Sequence, residues 1–310
     1  MLKVLDLFCG AGGLASGFSK QGFDVTGVDS SELAGRTFVK NHRGKFVQLD
    51  LSKNSVSGGY DVIIGGPPCK PWSNVNTVTR GSAHRDYHLL GTFFRHVESV
   101  RPAAFLFENV LPVKKSGTFR WWVARMQRVG YSVDVNTVAY SSFGAATRRQ
   151  RLIAFGLLNR DARSFYQRLG RKTLPPSTVR SKIWDLRDKN MGASPDHVWP
   201  QLKTIDRYRE YYRQAKYGWY VLKWDEPAPS FGNVTKTYIL HPESLNGGEM
   251  RVISIREAAL IMGFEDQFEF PRGSSLTARY QMIADAVSPD FSIAAARATM
   301  EVLGPDGSSA

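Results

Sequence analysis

The stretch KVLDLFCGAGGLASGF, residues 3–18, decides the fold because it joins an apolar run to a glycine-rich turn and a helical pattern. The run KVLDLF is typical of a short buried strand, and GLASGFSKQGF predicts a helix that Gly22 closes. Glycines in such a turn let the backbone approach a ligand at the carboxyl end of the strand. The order strand, glycine turn, helix therefore predicts an α/β fold with a ligand site beside its first strand.

The spacing of the glycines indicates a cofactor that contains adenosine. Gly10-x-Gly12-x-x-Ala15 fits the dinucleotide fingerprint, and Asp29 ends the next predicted strand, where an acid can hold ribose hydroxyls. NAD and S-adenosylmethionine both carry that ribose diol, so these residues do not distinguish the two cofactors. A tight turn with a purely structural role is the alternative.

Strand and helix patterns alternate through about the first 160 residues. Further strands are predicted at residues 24–29, 45–51, 60–66, 103–110 and 151–158. Helices are predicted at residues 30–42, 87–102, 120–131, 254–264 and 291–300. This alternation predicts a doubly wound, mostly parallel α/β sheet. Beyond residue 160 the periodicity weakens, and the stretch 207–224 (RYREYYRQAKYGWYVLKW) mixes aromatic with basic residues.

Composition narrows the class of protein and of partner. The chain has 310 residues, of which 42% are hydrophobic, and a formal net charge of +13. Such a surplus favours a polyanion, with nucleic acid as the first partner to consider, although a merely basic soluble protein is the alternative. Residues 160–225 carry fifteen Lys or Arg against seven Asp or Glu, so much of the surplus lies there.

Two cysteines and the apolar runs set further limits. Cys9 and Cys69 are the two cysteines of the chain, which excludes a four-cysteine zinc site and speaks against a disulfide framework. We predict no metal site. No apolar run approaches the ~18 residues of a membrane span, and the N-terminus has a strand pattern instead of a signal peptide. A cytoplasmic protein is the expectation.

The segment GGPPCKPWS, residues 65–73, places Cys69 between prolines at the end of a predicted strand. Prolines fix φ, so the direction of the thiol is set, and the adjacent Lys70 would favour a thiolate. These features indicate a nucleophile. A small buried hydrophobic residue, the usual role of a free cysteine, is the alternative.

Two further segments place charged residues at strand ends. Glu108 lies in FENV at the end of an apolar strand, where a carboxyl group must be paired or protonated. Arg149 and Arg151 lie in TRRQRLIAFG just before a strand, and their alternation directs both side chains to one side. A structural salt bridge for the glutamate and strand-edge charge for the arginines are the ordinary alternatives.

Together these segments resemble the DNA cytosine-5 methyltransferases of the prokaryotic and phage restriction-modification type. The resemblance covers almost the whole chain in the family's motif order: DLFCGAGGLASGF, PPCKPWS, ENV, RRQR and SIREAALIMGFEDQF. It implies a Rossmann-like methyltransferase fold and transfer of a methyl group from S-adenosylmethionine. The acceptor would be C5 of a cytosine flipped out of a short duplex DNA sequence, through a covalent adduct of Cys69 with C6.

The resemblance also implies roles for individual residues. Cys69 would be the nucleophile, Glu108 would contact N3 and the amino group of the base, and Arg151 would contact O2 with support from Arg149. Asp29 would hold the ribose, where the family usually has glutamate, and Asp50 would meet the adenine amino group. The full set of implied cofactor residues is Phe8, Gly10, Gly12, Gly13, Asp29, Ser30, Asp50, Pro67, Asp285, Ala286 and Val287.

The same resemblance suggests how the chain is divided. Residues 1–160 would form the catalytic and cofactor-binding domain, residues 161–250 the target-recognition domain, and residues 251–310 a segment that returns to the first domain. In 161–250 the basic and aromatic residues would contact phosphates and a few bases, although solvated helix and core would explain 207–224 equally. Residues 74–86 would close over double-stranded DNA. We expect a monomer whose restriction endonuclease partner is functional and not physical.

The chain departs from the family pattern at several positions. The family usually has glutamine at Lys70 and at Thr147, and its C-terminal Gly-Asn-(Ser/Ala)-Val is Ala284-Asp285-Ala286-Val287 here. An aspartate near the cofactor could alter affinity for it.

Three other functions compete with DNA methylation. An RNA cytosine-5 methyltransferase of the tRNA-aspartate branch carries a Cys-Phe-Thr stretch, whereas this chain has no cysteine after Cys69. A nicotinamide oxidoreductase leaves the proline-framed cysteine unexplained. A DNA-binding protein without catalysis is the third alternative, and methyl transfer to duplex DNA distinguishes it.

Overall fold

One mixed sheet lies at the centre of the computed structural model, which describes residues 1–72, 81–214 and 220–304. Its strands within these residues are β1 (Lys3–Leu7), β2 (Asp24–Asp29), β3 (Lys45–Gln48), β4 (Val62–Gly65), β5 (Ala104–Asn109), β6 (Tyr131–Ala139) and β7 (Gln150–Leu158). They are ordered β3-β2-β1-β4-β5-β7-β6 across the sheet.

The direction of the strands makes the sheet doubly wound and mostly parallel. The strands β1 to β5 pair in parallel, whereas β7 lies antiparallel to both β5 and β6. The strands β2 and β3 lie on one side of β1 in the sheet, and β4, the next strand in the chain, lies on the other side of β1. Such a switch point opens a crevice at the carboxyl ends of the strands, which is where ligands bind in α/β sheets. The predicted fold class is therefore confirmed.

Most of the strands that were predicted from the sequence are buried on both faces of the sheet. Every residue of β4 and β5 is buried, as expected for strands covered on both faces, and both read as continuous apolar runs. The edge strand β6 (YSVDVNTVA) was missed, because most of its residues are only partly buried and polar residues interrupt the run. The predicted strand 45–51 ends earlier, at Gln48.

Helices cover both faces of the sheet and continue into the C-terminal half. Their bounds are α1 (Gly13–Lys20), α2 (Glu32–Asn41), α3 (Leu89–Val100), α4 (Gly117–Arg128), α5 (Arg163–Gly170), α6 (Val179–Ile183), α7 (Lys203–Arg207), α8 (Arg209–Arg213), α9 (Val234–Thr237), α10 (Ile255–Ile261), α11 (Leu276–Asp285) and α12 (Pro289–Leu303). Short 3₁₀ turns lie at Gly81–Ala83, Leu111–Lys115, Tyr140–Phe143, Trp184–Leu186 and Pro242–Leu245. The helices α5, α6, α7, α9 and α11 were not predicted from the sequence.

The helix α12 brings the C-terminal part of the chain back against α1. The hydroxyl of Ser292 accepts a hydrogen bond from the Gly17 backbone N–H at 3.1 Å. A Cβ atom at Gly17 would overlap the backbone of Ser292, so this glycine allows the two helices to approach closely. Close packing here places the end of α11, just before α12, beside the glycine turn that opens α1.

The described residues between β7 and α10 form short helices and turns. Residues 220–253 contribute isolated bridges, among them Thr147 with Ala228 and Leu240 with Val252. The predicted mixed stretch 207–224 is described except for residues 215–219. The predicted frayed tail and most of the predicted closing loop, residues 305–310 and 74–80, lie outside the described residues. Among the described helices, none combines the length and apolar character needed to cross a membrane.

Candidate active site

A cavity of about 730 Å³ opens at the carboxyl ends of β1, β2, β4 and β5. The structure brings fourteen of the fifteen sequence-predicted site residues to its wall. They are Phe8, Gly10, Gly13, Asp29, Ser30, Asp50, Pro67, Cys69, Glu108, Arg149, Arg151, Asp285, Ala286 and Val287. Gly12 does not line the cavity. It precedes α1 with φ 80°, and a Cβ atom there would overlap the ring of His42.

The glycine turn is held in a left-handed backbone conformation. Gly10 has φ 53°, which a glycine adopts without strain, but Phe8 has φ 62°, which is unusual for a bulky residue. Such conformations persist where the surrounding structure imposes them, and they cluster at functional sites. The Cys9 backbone N–H donates to the Val28 carbonyl at 3.1 Å and fixes the turn against β2. The Phe8 side chain is thereby placed on the cavity wall.

Two carboxylates stand at the ends of β2 and β3. Asp29 accepts hydrogen bonds from the backbone N–H groups of Gly10 at 3.0 Å and Ser31 at 2.9 Å, and burial raises its pKa. Asp50 accepts from the hydroxyl of Ser52 at 2.6 Å and from its backbone N–H at 2.9 Å. Those hydrogen bonds lower the pKa of Asp50, so it is ionised at the rim. Both acids are held in place before any ligand arrives.

A third carboxylate, Asp6 in β1, was missed by the sequence reasoning. It lines the cavity although it is only 1% exposed, and its Oδ2 atom has no hydrogen-bond partner among the described residues. Burial, together with the nearby Asp29, holds its pKa well above the usual value. The only sequence signal was one acid inside the apolar run KVLDLF. A buried acceptor without a partner is suited to a ligand that donates hydrogen bonds.

The loop that carries Cys69 is fixed from two sides. The backbone N–H of Trp72 donates to the Cys69 carbonyl at 3.0 Å, and the buried Trp72 ring packs against Tyr87. The side chain of Asn109, at the end of β5, donates from Nδ2 to the Pro67 carbonyl at 3.0 Å. The backbone of the loop that carries Cys69 is therefore held by the loop itself and by the ENV segment.

Glu108 lies buried between a cation and a phenol. The Arg151 Nε atom lies 3.1 Å from its Oε1, and the Tyr140 hydroxyl donates to the same oxygen at 3.4 Å. Burial raises the pKa of Glu108, and this effect outweighs the opposing arginines. The protonated carboxyl, a hydrogen-bond donor, is thus favoured more than in water. Tyr140 was not predicted, because nothing in its local sequence marks it.

Arg149 is almost fully buried and reaches the C-terminal half of the chain. Its Nη1 atom donates to the Phe231 carbonyl at 3.3 Å, and burial lowers its pKa to about 10. The backbone of the arginine motif pairs with the same segment, since Arg148 N–H donates to the Ala228 carbonyl at 2.8 Å. The segment DEPAPSF, residues 225–231, therefore holds Arg148 and Arg149 in place.

The protonation of Cys69 differs from the sequence-based expectation. Burial, followed by Asp285 and Glu108, raises the pKa of the thiol, while Arg151 and Arg149 act in the opposite direction. The neighbouring Lys70, which was expected to favour the thiolate, is exposed at the cavity rim. The free protein therefore favours the thiol, because burial and two acids outweigh the guanidinium groups.

These groups can act together on one planar substrate. A thiol, the Glu108 carboxyl group with its raised pKa and two guanidinium groups share the cavity with a glycine turn and five further acids. A thiol can add covalently while a neutral carboxyl donates a proton or hydrogen bond to the same molecule. The fold and the cavity define the class: an α/β protein whose cavity places groups suited to nucleophilic catalysis beside a glycine-rich loop.

The chain belongs to the C-5 cytosine-specific DNA methylase family, whose model matches residues 2–301. Its activity is the methylation of cytosine at C5 in DNA, which confirms the family and the enzyme class predicted from the sequence.

Similar proteins cover nearly the full chain. The type II methyltransferase M.FnuDI of Fusobacterium nucleatum is 28% identical and aligns over 97% of this chain and 95% of its own. The type II methyltransferase M.NgoPII of Neisseria gonorrhoeae is 27% identical over 97% and 96%. Among solved structures, the S. pombe Dnmt2 methyltransferase matches with a TM-score of 0.73 at 15% identity, covering 98% of this chain and 99% of that one. At that identity the match shows the fold alone.

Proposed function

We propose that this protein is a type II modification methyltransferase that transfers the methyl group of S-adenosylmethionine to a cytosine flipped out of a short duplex sequence. The single observation that carries the proposal is the convergence of Cys69, Glu108 and Arg151 on one cavity beside the glycine turn. The similar M.FnuDI and M.NgoPII are type II methyltransferases, and each aligns with nearly the whole length of the chain.

The cavity fits S-adenosylmethionine in size and in charge. Its volume of about 730 Å³ lies within the range of small-molecule sites. Asp29 would hold the ribose hydroxyls and Asp50 the adenine amino group. The partnerless Oδ2 of Asp6 would accept from the ammonium group. When bound, S-adenosylmethionine supplies the methyl group that passes to C5 of the cytosine.

The residues of this chain would make C5 reactive. The Cys69 thiol loses its proton to solvent and its sulfur adds to C6, so a sulfur–carbon bond forms and the electron pair of the C5–C6 double bond moves toward C5. Glu108 donates its proton or a hydrogen bond to N3, which stabilises the charge that develops on the ring. Arg151 would contact O2 of the base. After methylation the C5 proton leaves to a base, the double bond re-forms, and the thiolate departs from C6.

The substrate would be bound as a duplex by the basic part of the chain. A target cytosine inside a duplex must be flipped to reach the partly buried thiol of Cys69. We propose that residues 1–160 form the catalytic domain, that residues 161–250 recognise the target, and that residues 251–310 complete the catalytic domain. The exposed Arg207, Arg209 and Arg213 would contact phosphates. The enzyme would act as a monomer, with a restriction endonuclease as its functional counterpart.

The covalent mechanism is tested with duplex DNA that carries 5-fluorocytosine. Fluorine cannot leave C5 as a cation, so the adduct should persist through denaturing electrophoresis when S-adenosylmethionine is present. A mixed-sequence pool serves as the first substrate because a recognition site must be included. Cys69→Ser should give no band, and fluorinated tRNA should not be trapped in preference to DNA. Failure to trap from a pool whose unfluorinated form is methylated would refute the covalent mechanism.

A further inference from the structure

Tyr140 places a phenol hydroxyl beside the carboxyl group of Glu108 from behind the cavity wall. It follows β6 directly, and its backbone N–H donates to the Arg149 carbonyl at 2.9 Å, which extends the pairing of β6 with β7 by one residue. Its ring is fully buried and stacks on Phe291 of α12, with the ring centroids 5.5 Å apart. Two distant parts of the chain therefore fix the position of the hydroxyl.

The hydroxyl of Tyr140 and the guanidinium group of Arg151 approach the same oxygen of Glu108. The hydroxyl donates to Oε1 at 3.4 Å, and the Nε atom of Arg151 lies 3.1 Å from Oε1. Burial raises the pKa of Tyr140, so the phenol stays protonated and acts as the donor. Hydrogen bonds between catalytic groups are often long in the absence of substrate and shorten when it binds. Oε1 thus faces a hydroxyl donor and a cation.

The second carboxyl oxygen of Glu108 has a different environment. Oε2 lies beside Gly66, where a Cβ atom would come within 2.6 Å of it, and Gly66 lines the cavity. The hydrogen bond and the ion pair of the carboxyl group both involve Oε1 and leave Oε2 without a partner among the described residues. A neutral carboxyl group carries one proton, and an oxygen that already faces a donor and a cation is the less favourable place for it. The two oxygens are therefore unequal.

We propose that Tyr140 is a positioning residue for the methylation reaction, which reserves Oε1 of Glu108 as an acceptor and so directs the proton of the carboxyl group to Oε2 and from there to the base. The inference rests on the proposed function, because it requires a cytosine in the cavity. When the proton passes, the O–H bond at Oε2 breaks, an N–H bond forms at N3, and the electron pair stays on the carboxylate. The hydroxyl of Tyr140 then stabilises the negative charge that Glu108 acquires.

Other groups act on the same carboxyl group and remain in place when the hydroxyl is removed. Burial is the largest influence on the pKa of Glu108 and raises it, and Asp285 acts in the same direction. Arg151, Arg149 and the hydroxyl of Tyr140 lower it. The thiol of Cys69 shares the cavity wall. Loss of the hydroxyl alone should therefore raise the pKa of Glu108.

The test compares Tyr140→Phe with a matched control, Tyr131→Phe. The first variant keeps the ring that stacks on Phe291 and loses the hydroxyl beside Glu108. The control loses a buried hydroxyl at the start of β6, which donates to the Pro102 carbonyl at 2.7 Å instead. Transfer of a tritiated methyl group to a duplex pool should show kcat reduced about three- to tenfold in Tyr140→Phe, as expected for one hydrogen bond. The KM values for S-adenosylmethionine and DNA should not change, and Tyr131→Phe should retain the wild-type kcat.

The pH dependence of kcat shows whether Tyr140 acts through Glu108. A decline at high pH is expected where Glu108 loses its proton, and Glu108→Gln should lack this decline because its amide does not ionise. In Tyr140→Phe the midpoint of the decline should lie about 0.5 to 1 pH unit higher. In the Glu108→Gln background, Tyr140→Phe should change kcat by less than about twofold. An unshifted midpoint, or the same loss of kcat in both backgrounds, would overturn the inference.

Infrared difference spectra of the ligand-free protein give a readout that does not depend on methylation. The protonated-carboxyl band that disappears in Glu108→Gln belongs to Glu108, and its titration midpoint should be higher in Tyr140→Phe and unchanged in Tyr131→Phe. Absence of methyl transfer by the wild type would refute the proposed function, whereas equal infrared midpoints for wild type and Tyr140→Phe would overturn the role of Tyr140. Thermal unfolding verifies that each variant is folded.

Discussion

The absence of a side chain at Gly66 leaves space for the carboxyl group of Glu108. We therefore expect Gly66→Ala to disable the enzyme by displacing that carboxyl group. A Cβ atom at this position would lie 2.6 Å from Glu108 Oε2, and the next nearest atoms also belong to Glu108, at 3.6 and 3.8 Å. The methyl group would thus meet only that glutamate. The position has no left-handed φ, so alanine is compatible with the backbone.

The size of the effect follows from the distance. An ordinary contact of a Cβ atom begins at 3.4 Å, so the carboxyl oxygen must retreat by about 0.8 Å. Glu108 cannot simply rotate away, because Arg151 lies 3.1 Å from its Oε1 and the side chain is buried. A misplacement of about 1 Å can reduce a rate by about 10²-fold. We therefore expect kcat to fall about 10²-fold while the affinity for S-adenosylmethionine changes little.

The assay is transfer of a tritiated methyl group to a duplex pool at saturating donor. Gly59→Ala is the matched control, since a Cβ atom there meets nothing within 4 Å and should leave kcat unchanged. Thermal unfolding separates lost positioning from lost folding. A Gly66→Ala protein that is folded and retains more than about half of the wild-type kcat would show that Glu108 does not need its observed position.

Further outcomes are expected for Cys69→Ser, for Glu108→Gln and for the binding of duplex DNA. Cys69→Ser should abolish methylation and leave donor binding nearly intact, as equilibrium dialysis would show, and a residual turnover of about a tenth would contradict the nucleophile assignment. Glu108→Gln should reduce kcat more than DNA affinity. Because the pKa of Glu108 is raised above the ordinary 4.5, its ionisation destabilises the folded state as pH rises through that folded pKa. Glu108→Gln should therefore unfold at a higher temperature than the wild type at about pH 8, and the difference should vanish below about pH 4.5. If about six phosphates are contacted, the logarithm of the binding constant for non-specific duplex should fall with the logarithm of the salt concentration with a slope near −5. Charge reversal at Arg207, Arg209 and Arg213 should weaken binding to all sequences equally. A flat salt response would contradict a DNA-facing role for this segment.

The sequence predicted those site residues that end buried strands. Cys69 follows β4, Glu108 is the next-to-last residue of β5, and Asp29 ends β2; β4 and β5 are buried along their whole length. Parallel strands bring their carboxyl ends to one edge, so a strand-by-strand reading is enough to bring these side chains together. The three assignments needed no knowledge of tertiary contacts beyond the direction of the sheet.

Residues that depend on long-range packing could not be predicted. Asp6 has the pattern of an ordinary strand residue, and only the assembled cavity shows that its Oδ2 lacks a partner. Tyr140 reaches Glu108 from a turn after β6, an edge strand whose place depends on pairing with β7. The protonation of Cys69 was predicted with the wrong sign. The adjacent Lys70 is visible in the sequence, whereas burial and the distant Asp285 become visible only in the fold.

The charges of the chain are arranged for two ligands of opposite sign. The whole protein carries a net charge of +13, which favours a polyanion at its surface. The cavity wall has the opposite bias, with six carboxyl groups against four lysine or arginine side chains. A cationic ligand such as the proposed methyl donor would be attracted by this acidic bias, whereas the basic surface would attract the polyanion. The two ligands would therefore be drawn to different parts of the protein, and neither field would oppose the binding of the other ligand.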